Sequence, residues 1–155
     1  MFNEAIDQDP TVFAIPVFIA CILIEAYFDF RKKLNLYNKK DTIACISMGL
    51  GVVFIGLITK TFYFFVFHLI YQFKIIELEN TWWMWILLLF ADDFSFYWHH
   101  RMSHQVRFLW AAHIQHHSST RMNFSVALRQ SWMEPFYKYI FYLWIPLLGF
   151  NPLYI

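Results

Sequence analysis

The chain has 155 residues, a one-domain length, of which 59% are hydrophobic, 23% aromatic and 15% charged, with a formal net charge of +1. A soluble domain carries roughly 25% charged and about 45–50% apolar residues, and nineteen Phe with seven Trp exceed what a soluble core of this size buries. The composition excludes an ordinary soluble domain, the near-neutral charge argues against nucleic acid as a partner, and an all-α integral membrane protein is the class that remains.

The N-terminus, MFNEAIDQDP, is acidic. A secretory signal peptide starts basic and ends in a small-residue cleavage site. Neither is present, so the first apolar run is expected to stay as an anchor. Four apolar blocks follow: Val12 to Phe28, Ile43 to Phe73, Trp82 to Trp98, and Phe136 to Phe150. A spanning helix needs about 20 mostly apolar residues. Blocks one and three fit, and block four fits if it begins near Ser131. Block two is long for one upright helix and short for two. The expected architecture is a bundle of about four transmembrane helices forming a single membrane domain over residues 1–155, with a polar, histidine-rich helical region from His99 to Ser131.

Charge placement orients the bundle. Arg31, Lys32, Lys33, Lys39 and Lys40 lie between blocks one and two, and Arg101, Arg107, Arg121 and Arg129 between blocks three and four. Basic residues flanking spans mark the cytoplasmic side. A single long crossing of block two, with Lys60 as its weak point, places both basic loops on that side. The loop from Lys74 to Asn80, with Glu77 and Glu79, then lies outside. Cys21 and Cys45 sit in apolar runs without CxxC spacing and read as small buried hydrophobes.

Block three ends in DDFSFYWHHRMSH, Asp92 to His104. His100 and His104 form an HxxxH; His113, His116 and His117 form an HxxHH. Residues three and four apart share a helix face, so each group presents imidazoles to one point, as helical metal sites require. His104 and His113 are nine residues apart, half a turn out of phase on one helix. A shared centre therefore demands a bend or a change of helix between Gln105 and Ala112, where no Gly or Pro marks one. Imidazole suits Zn, Cu, Fe and Ni, and five histidines suggest two metals. Asp93, about two turns below His100 on the same face, is the candidate carboxylate behind a ligand. Asp92 points aside, with pairing of both acids to Arg101 or Arg107 as the alternative. His99 points about 100° from His100 and is discounted, as is the lone His68. Glu25, ionisable within block one, is expected to reach interfacial water or a lysine.

DFSFYWHHRMSH, WAAHIQHHSS and NFSVALRQSW together resemble the fatty acid hydroxylase/sterol desaturase superfamily, from about Asp93 to Trp132. HHSS, Asn123 and the run Ala127 to Ser131 look most like its alkylglycerol monooxygenase-like and bacterial sterol desaturase-family branch. The resemblance implies a membrane di-iron oxygenase with His100, His104, His113, His116 and His117 as metal ligands, Asp93 behind them, and the histidine boxes on the cytosolic side. The host membrane would be the endoplasmic reticulum in a eukaryote or the inner membrane in a bacterium. It implies a membrane lipid and O2 as substrates, a C–H hydroxylation or desaturation of a sterol, fatty acyl or ether lipid, and an external electron donor, either tetrahydrobiopterin or a cytochrome b5/reductase system.

The family completes its site with further C-terminal histidines, and no histidine follows His117 here. Truncation of a longer protein is the expected explanation, with no turnover by the 155-residue chain alone. Completion by water or a second chain, or an inactive chain, are the others. The competing functional class is a non-catalytic membrane metal-binding, transport or structural fragment. A transporter should line its helices with polar residues, and apart from Glu25, Lys60 and His68 these blocks are bare.

Overall fold

The computed structural model describes the backbone of residues 11–155 and the side chains from residue 14 onward. The acidic MFNEAIDQDP segment and the first side chains of block one lie outside that range. All regular structure among the described residues is helical. Helix α1 runs Thr11–Lys32, α2 Lys39–Tyr71, α3 Trp82–Gln105 and α4 Arg107–His113. A 3-10 turn at Phe124–Leu128 follows, then α5 Glu134–Tyr137, a 3-10 turn Lys138–Tyr142, α6 Trp144–Leu148 and a last turn Pro152–Tyr154.

Block two is one unbroken helix, α2. Asn38 caps it, its side-chain oxygen accepting from the Lys40 and Asp41 amides at 3.0 and 3.4 Å. Asp41 in the first turn adds a favourable charge at the positive end of the helix dipole. Thirty-three residues reach about 50 Å, more than the roughly 30 Å hydrocarbon core. By length and composition α2 is the one helix among the described residues able to cross a membrane, and only 11% of its most apolar stretch is buried within the protein. Phe54, Leu57, Ile58, Phe62 and Phe65 are exposed along it. Such a surface suits contact with a membrane or with another protein. Lys60 does not stand alone there: with Asp92 and Lys138 it lines a cavity of about 560 Å³.

Block four differs from the expectation of a fourth spanning helix: α5, the 3-10 turn and α6 are short pieces, not one rod. Pro135 and Pro146 each lack an amide donor. The Phe136 carbonyl at the first break accepts from Tyr63 Oη at 2.7 Å. The broken path still follows the length of α2. Trp132 Nε1 donates to the Met48 carbonyl near one end, and the Ile75 amide donates to the Leu147 carbonyl beyond the other. Gly51 makes the first approach possible, because a Cβ there would collide with the Trp132 indole. Gly149, at φ +112°, closes α6 in a left-handed conformation that favours glycine.

The core forms between α2, α3 and this path: Tyr63 and Phe67, Met84, Leu88 and Ala91, and Tyr142, Ile145 and Phe150. Burying Ile145 completely contributes about 1.5–3 kcal/mol. Trp144 Nε1 donates to Ser95 Oγ at 3.0 Å and fixes the path against α3. Helix α1 reaches the rest through Glu25, whose Oε2 accepts from Tyr37 Oη and the Phe124 amide, each at 2.7 Å. Its protein partners are therefore a tyrosine and a backbone amide rather than a lysine.

The two basic loops meet at the N-terminal end of α2, where Arg129 pairs with Asp41 at 2.7 Å.

Candidate metal centre

The first histidine box lies in the last turns of α3, and the second begins at the end of α4. Between them stands Val106, extended at φ −95°, ψ 119°. Its amide closes α3 on the Met102 carbonyl, and its own carbonyl accepts the Trp110 amide to open α4, each at 2.8 Å. A β-branched residue prefers extended backbone, so one valine makes the break without Gly or Pro. The change of helix falls inside the interval from Gln105 to Ala112 that the phase argument demanded.

The break turns the two boxes toward each other. His104 Nε2 is 3.1 Å from His100 Nε2, and His117 Nε2 is 3.3 Å from His113 Nε2. Across the boxes, ring centroids are 4.8 Å apart for His100 and His113, and 4.9 Å for His104 with His113 and with His117. One nitrogen from each of these four imidazoles lies within 4.8 Å of all the others. Nitrogens bound to one ion at about 2.1 Å sit roughly 3.0–3.4 Å from one another; the pairs within each box already have that spacing, and the full set, spread over up to 4.8 Å, would draw together around a bound metal.

Electrostatics favours the ligating form. Burial first, then the neighbouring imidazoles, push His113 down to about 4, and burial likewise lowers His117. Both are held neutral, with a lone pair available. His113 is buried and its Nδ1 has no hydrogen-bond partner among the described residues.

The other sequence candidates are placed less centrally. His116 lies beside the four, its ring 5.2 Å from His117 and 5.6 Å from His113, with Nδ1 3.2 Å from the Arg129 carbonyl. Asp93 is exposed, and no hydrogen bond among the described residues joins it to an imidazole. Neither Asp92 nor Asp93 pairs with an arginine there. His99 is buried on another side of α3, packed on Tyr137 and Phe141 with Nε2 3.8 Å from Glu134. His68 is exposed in the last turn of α2.

Sequence reasoning missed two neighbours of the cluster. Trp110 covers it, its ring 5.3 Å from His104 and 5.9 Å from His117. Its position three residues before His113 is the helical spacing that would have marked it. The second is Arg129, which the sequence offered as a flanking basic residue and as part of the ALRQS run but not as a neighbour of the cluster. Beside the cluster a cavity of about 570 Å³ has His116 and His117 in its wall, together with the apolar Met122, Phe124, Val126 and Ala127.

Fold and site together define a helical protein with a membrane-compatible apolar surface and a four-imidazole cluster of metal-site geometry. Residues 85–155 match the fatty acid hydroxylase family. The chain is 34% identical to the human alkylglycerol monooxygenase over 135 residues, 83% of this chain and 30% of the relative. It is 30% identical to the Xenopus tropicalis alkylglycerol monooxygenase over 131 residues, 81% of this chain and 28% of the relative. A segment of 57 residues, 35% of the chain, is 49% identical to the alkylglycerol monooxygenase of Caenorhabditis elegans, 11% of whose length it covers. No solved structure gives a significant match. The chain belongs to the fatty acid hydroxylase superfamily, in its alkylglycerol monooxygenase-like branch. It spans under a third of the length of the curated relatives it matches.

Proposed function

We propose that the protein is a membrane-bound, iron-dependent oxidoreductase of the monooxygenase type that attacks a lipid C–H bond with O2. The observation that carries this reading is the convergence of four imidazoles from the HxxxH and HxxHH boxes in a chain of this family. His100, His104, His113 and His117 are the ligands the geometry favours. His116 joins them as a fifth, with Nε2 left free while Nδ1 faces the Arg129 carbonyl. Asp93 is kept as an outer support reached through water. Two bound irons would supply the activation of O2 and the redox steps. Five imidazoles fill fewer than two four-coordinate sites, so the remaining positions fall to water, a second chain or residues beyond these 155.

The residues of this chain set the environment. Burial keeps His113 unprotonated, and Trp110 screens one side of the cluster from water. The cavity beside His116 and His117 sets the apolar Met122, Phe124, Val126 and Ala127 against the polar Glu25, Ser119 and Asn123, a lining that suits an amphipathic lipid. The exposed face of α2 suits a bilayer from which a lipid would enter. The named relatives favour an alkylglycerol ether within the lipid class, with sterol and fatty acyl substrates as the alternatives. Reducing electrons come from tetrahydrobiopterin or a cytochrome b5/reductase partner, delivered at the cytosolic face of the endoplasmic reticulum or of a bacterial inner membrane.

The test is incubation of the purified, iron-loaded full-length membrane protein with ether, sterol and fatty acyl lipids under ¹⁸O2 and each donor, with the products read by mass spectrometry. Labelled or desaturated lipid is expected. No change in any lipid class with either donor would overturn the proposal.

A further inference from the structure

The second histidine box has little helix beneath it. Helix α4 holds seven residues and ends at His113, so His116 and His117 follow on hydrogen-bonded turns. A helix this short is marginal by itself. What holds the turns is a residue more than ten positions downstream. Arg129 Nε donates to the Gln115 carbonyl at 3.0 Å and to Ser118 Oγ at 2.9 Å, on either side of His116 and His117. Its Nη1 donates to Asp41 Oδ1 at 2.7 Å, while Asp41 Oδ2 accepts from Ser119 Oγ at 2.6 Å. Its own carbonyl lies 3.2 Å from His116 Nδ1.

We propose that Arg129 is the positioning residue of the second histidine box, clamping the Gln115–Ser119 turn to the first turn of α2 and fixing the His116 tautomer. The inference rests on the reading of the imidazole cluster as a metal centre. An Nδ1–H donated to the Arg129 carbonyl leaves Nε2 with its lone pair, the form a metal takes. The guanidinium meets the turn and the carboxylate at once because its donors are fixed in one plane; a lysine ammonium has no Nε–H and no such fork. Asp41 is the counter-ion that keeps the partly buried guanidinium in place, its side chain 22% exposed against 15% for Arg129.

Arg129→Lys keeps the charge opposite Asp41 and removes the Nε–H donation. Ser118→Ala removes one acceptor and leaves the ion pair intact. The experiment is Co²⁺ titration of the detergent-solubilised full-length protein, reading affinity and the d–d absorption spectrum, with circular dichroism reporting helix content. Arg129→Lys should weaken Co²⁺ binding roughly 10–100-fold and change the d–d bands at unaltered helix content. Ser118→Ala should weaken it by a smaller factor, and decides the matter if the lysine variant does not fold. Wild-type affinity and spectrum in the folded variants would overturn the role of Arg129 alone. Failure of the wild type to bind Co²⁺ would overturn the metal centre and this role with it.

Discussion

His104 and His113 have ring centroids 4.9 Å apart, although nine residues separate them and a continuous helix would point them in opposite directions. The contact exists because Val106 is extended and α4 folds back on α3. On the proposed metal centre each box contributes ligands, so losing a ring from either should weaken the whole.

His104→Ala tests this directly. Iron content after loading, measured by plasma mass spectrometry, should fall well below that of the wild type. The loss of affinity should exceed the roughly 10–100-fold typical of an outer partner. Undiminished iron in the variant would remove His104 from the site.

The acid response follows from His113. In the unfolded chain its imidazole takes up a proton near pH 6.5, whereas in the fold it is pushed down to about 4. The unfolded state therefore binds more protons between those values. The stability of the metal-free fold is complete above about 6.5 and declines as pH falls toward about 4. Thermal unfolding of chelator-treated protein in detergent should show a midpoint that drops over this window. His113→Gln should make the slope shallower, the buried His99, likewise pushed down to about 4, supplying the rest; an identical slope in the variant would place the titration elsewhere.

At Gly51, helix propensity and packing pull in opposite directions. Alanine is favoured over glycine in a helix by about 1 kcal/mol, but its Cβ would strike the Trp132 indole. Overpacking costs typically 1–3 kcal/mol. Gly51→Ala should therefore lower the melting temperature, and Gly51→Ala with Trp132→Ala should lower it by less than the sum of the two. Additive losses would show that the two residues do not meet.

Tyr63→Phe removes the hydroxyl that donates to the Phe136 carbonyl beside Pro135. A loss of about 0.5–1.5 kcal/mol is expected, as for a typical hydrogen bond. Faster amide exchange should appear around residues 136–142. Unchanged stability and exchange would mean that the prolines alone break this segment.

Much of the site was legible because its signals are local. The pairing of His100 with His104 is fixed by the periodicity of one helix turn, whereas His117 meets His113 through hydrogen-bonded turns beyond the end of α4. The necessity of a break between the boxes was legible from the same periodicity. The position of that break was not, since a valine is permitted in either conformation until its neighbours choose. Asp93 shows the opposite limit: it has the right phase along α3, yet no imidazole lies within hydrogen-bonding reach of it among the described residues. Correct register on one helix says nothing of what the next element brings alongside.

The sequence by itself determined an all-helical chain with an apolar surface, the one long helix α2 and two histidine boxes, because composition and periodicity act over a few residues. Tertiary structure alone decided that block four runs beside α2 in broken pieces, and that Arg129 reaches Asp41 across 88 positions to hold the second box. Those contacts join residues far apart along the chain, where no periodicity connects them and only the folded backbone brings donor to acceptor.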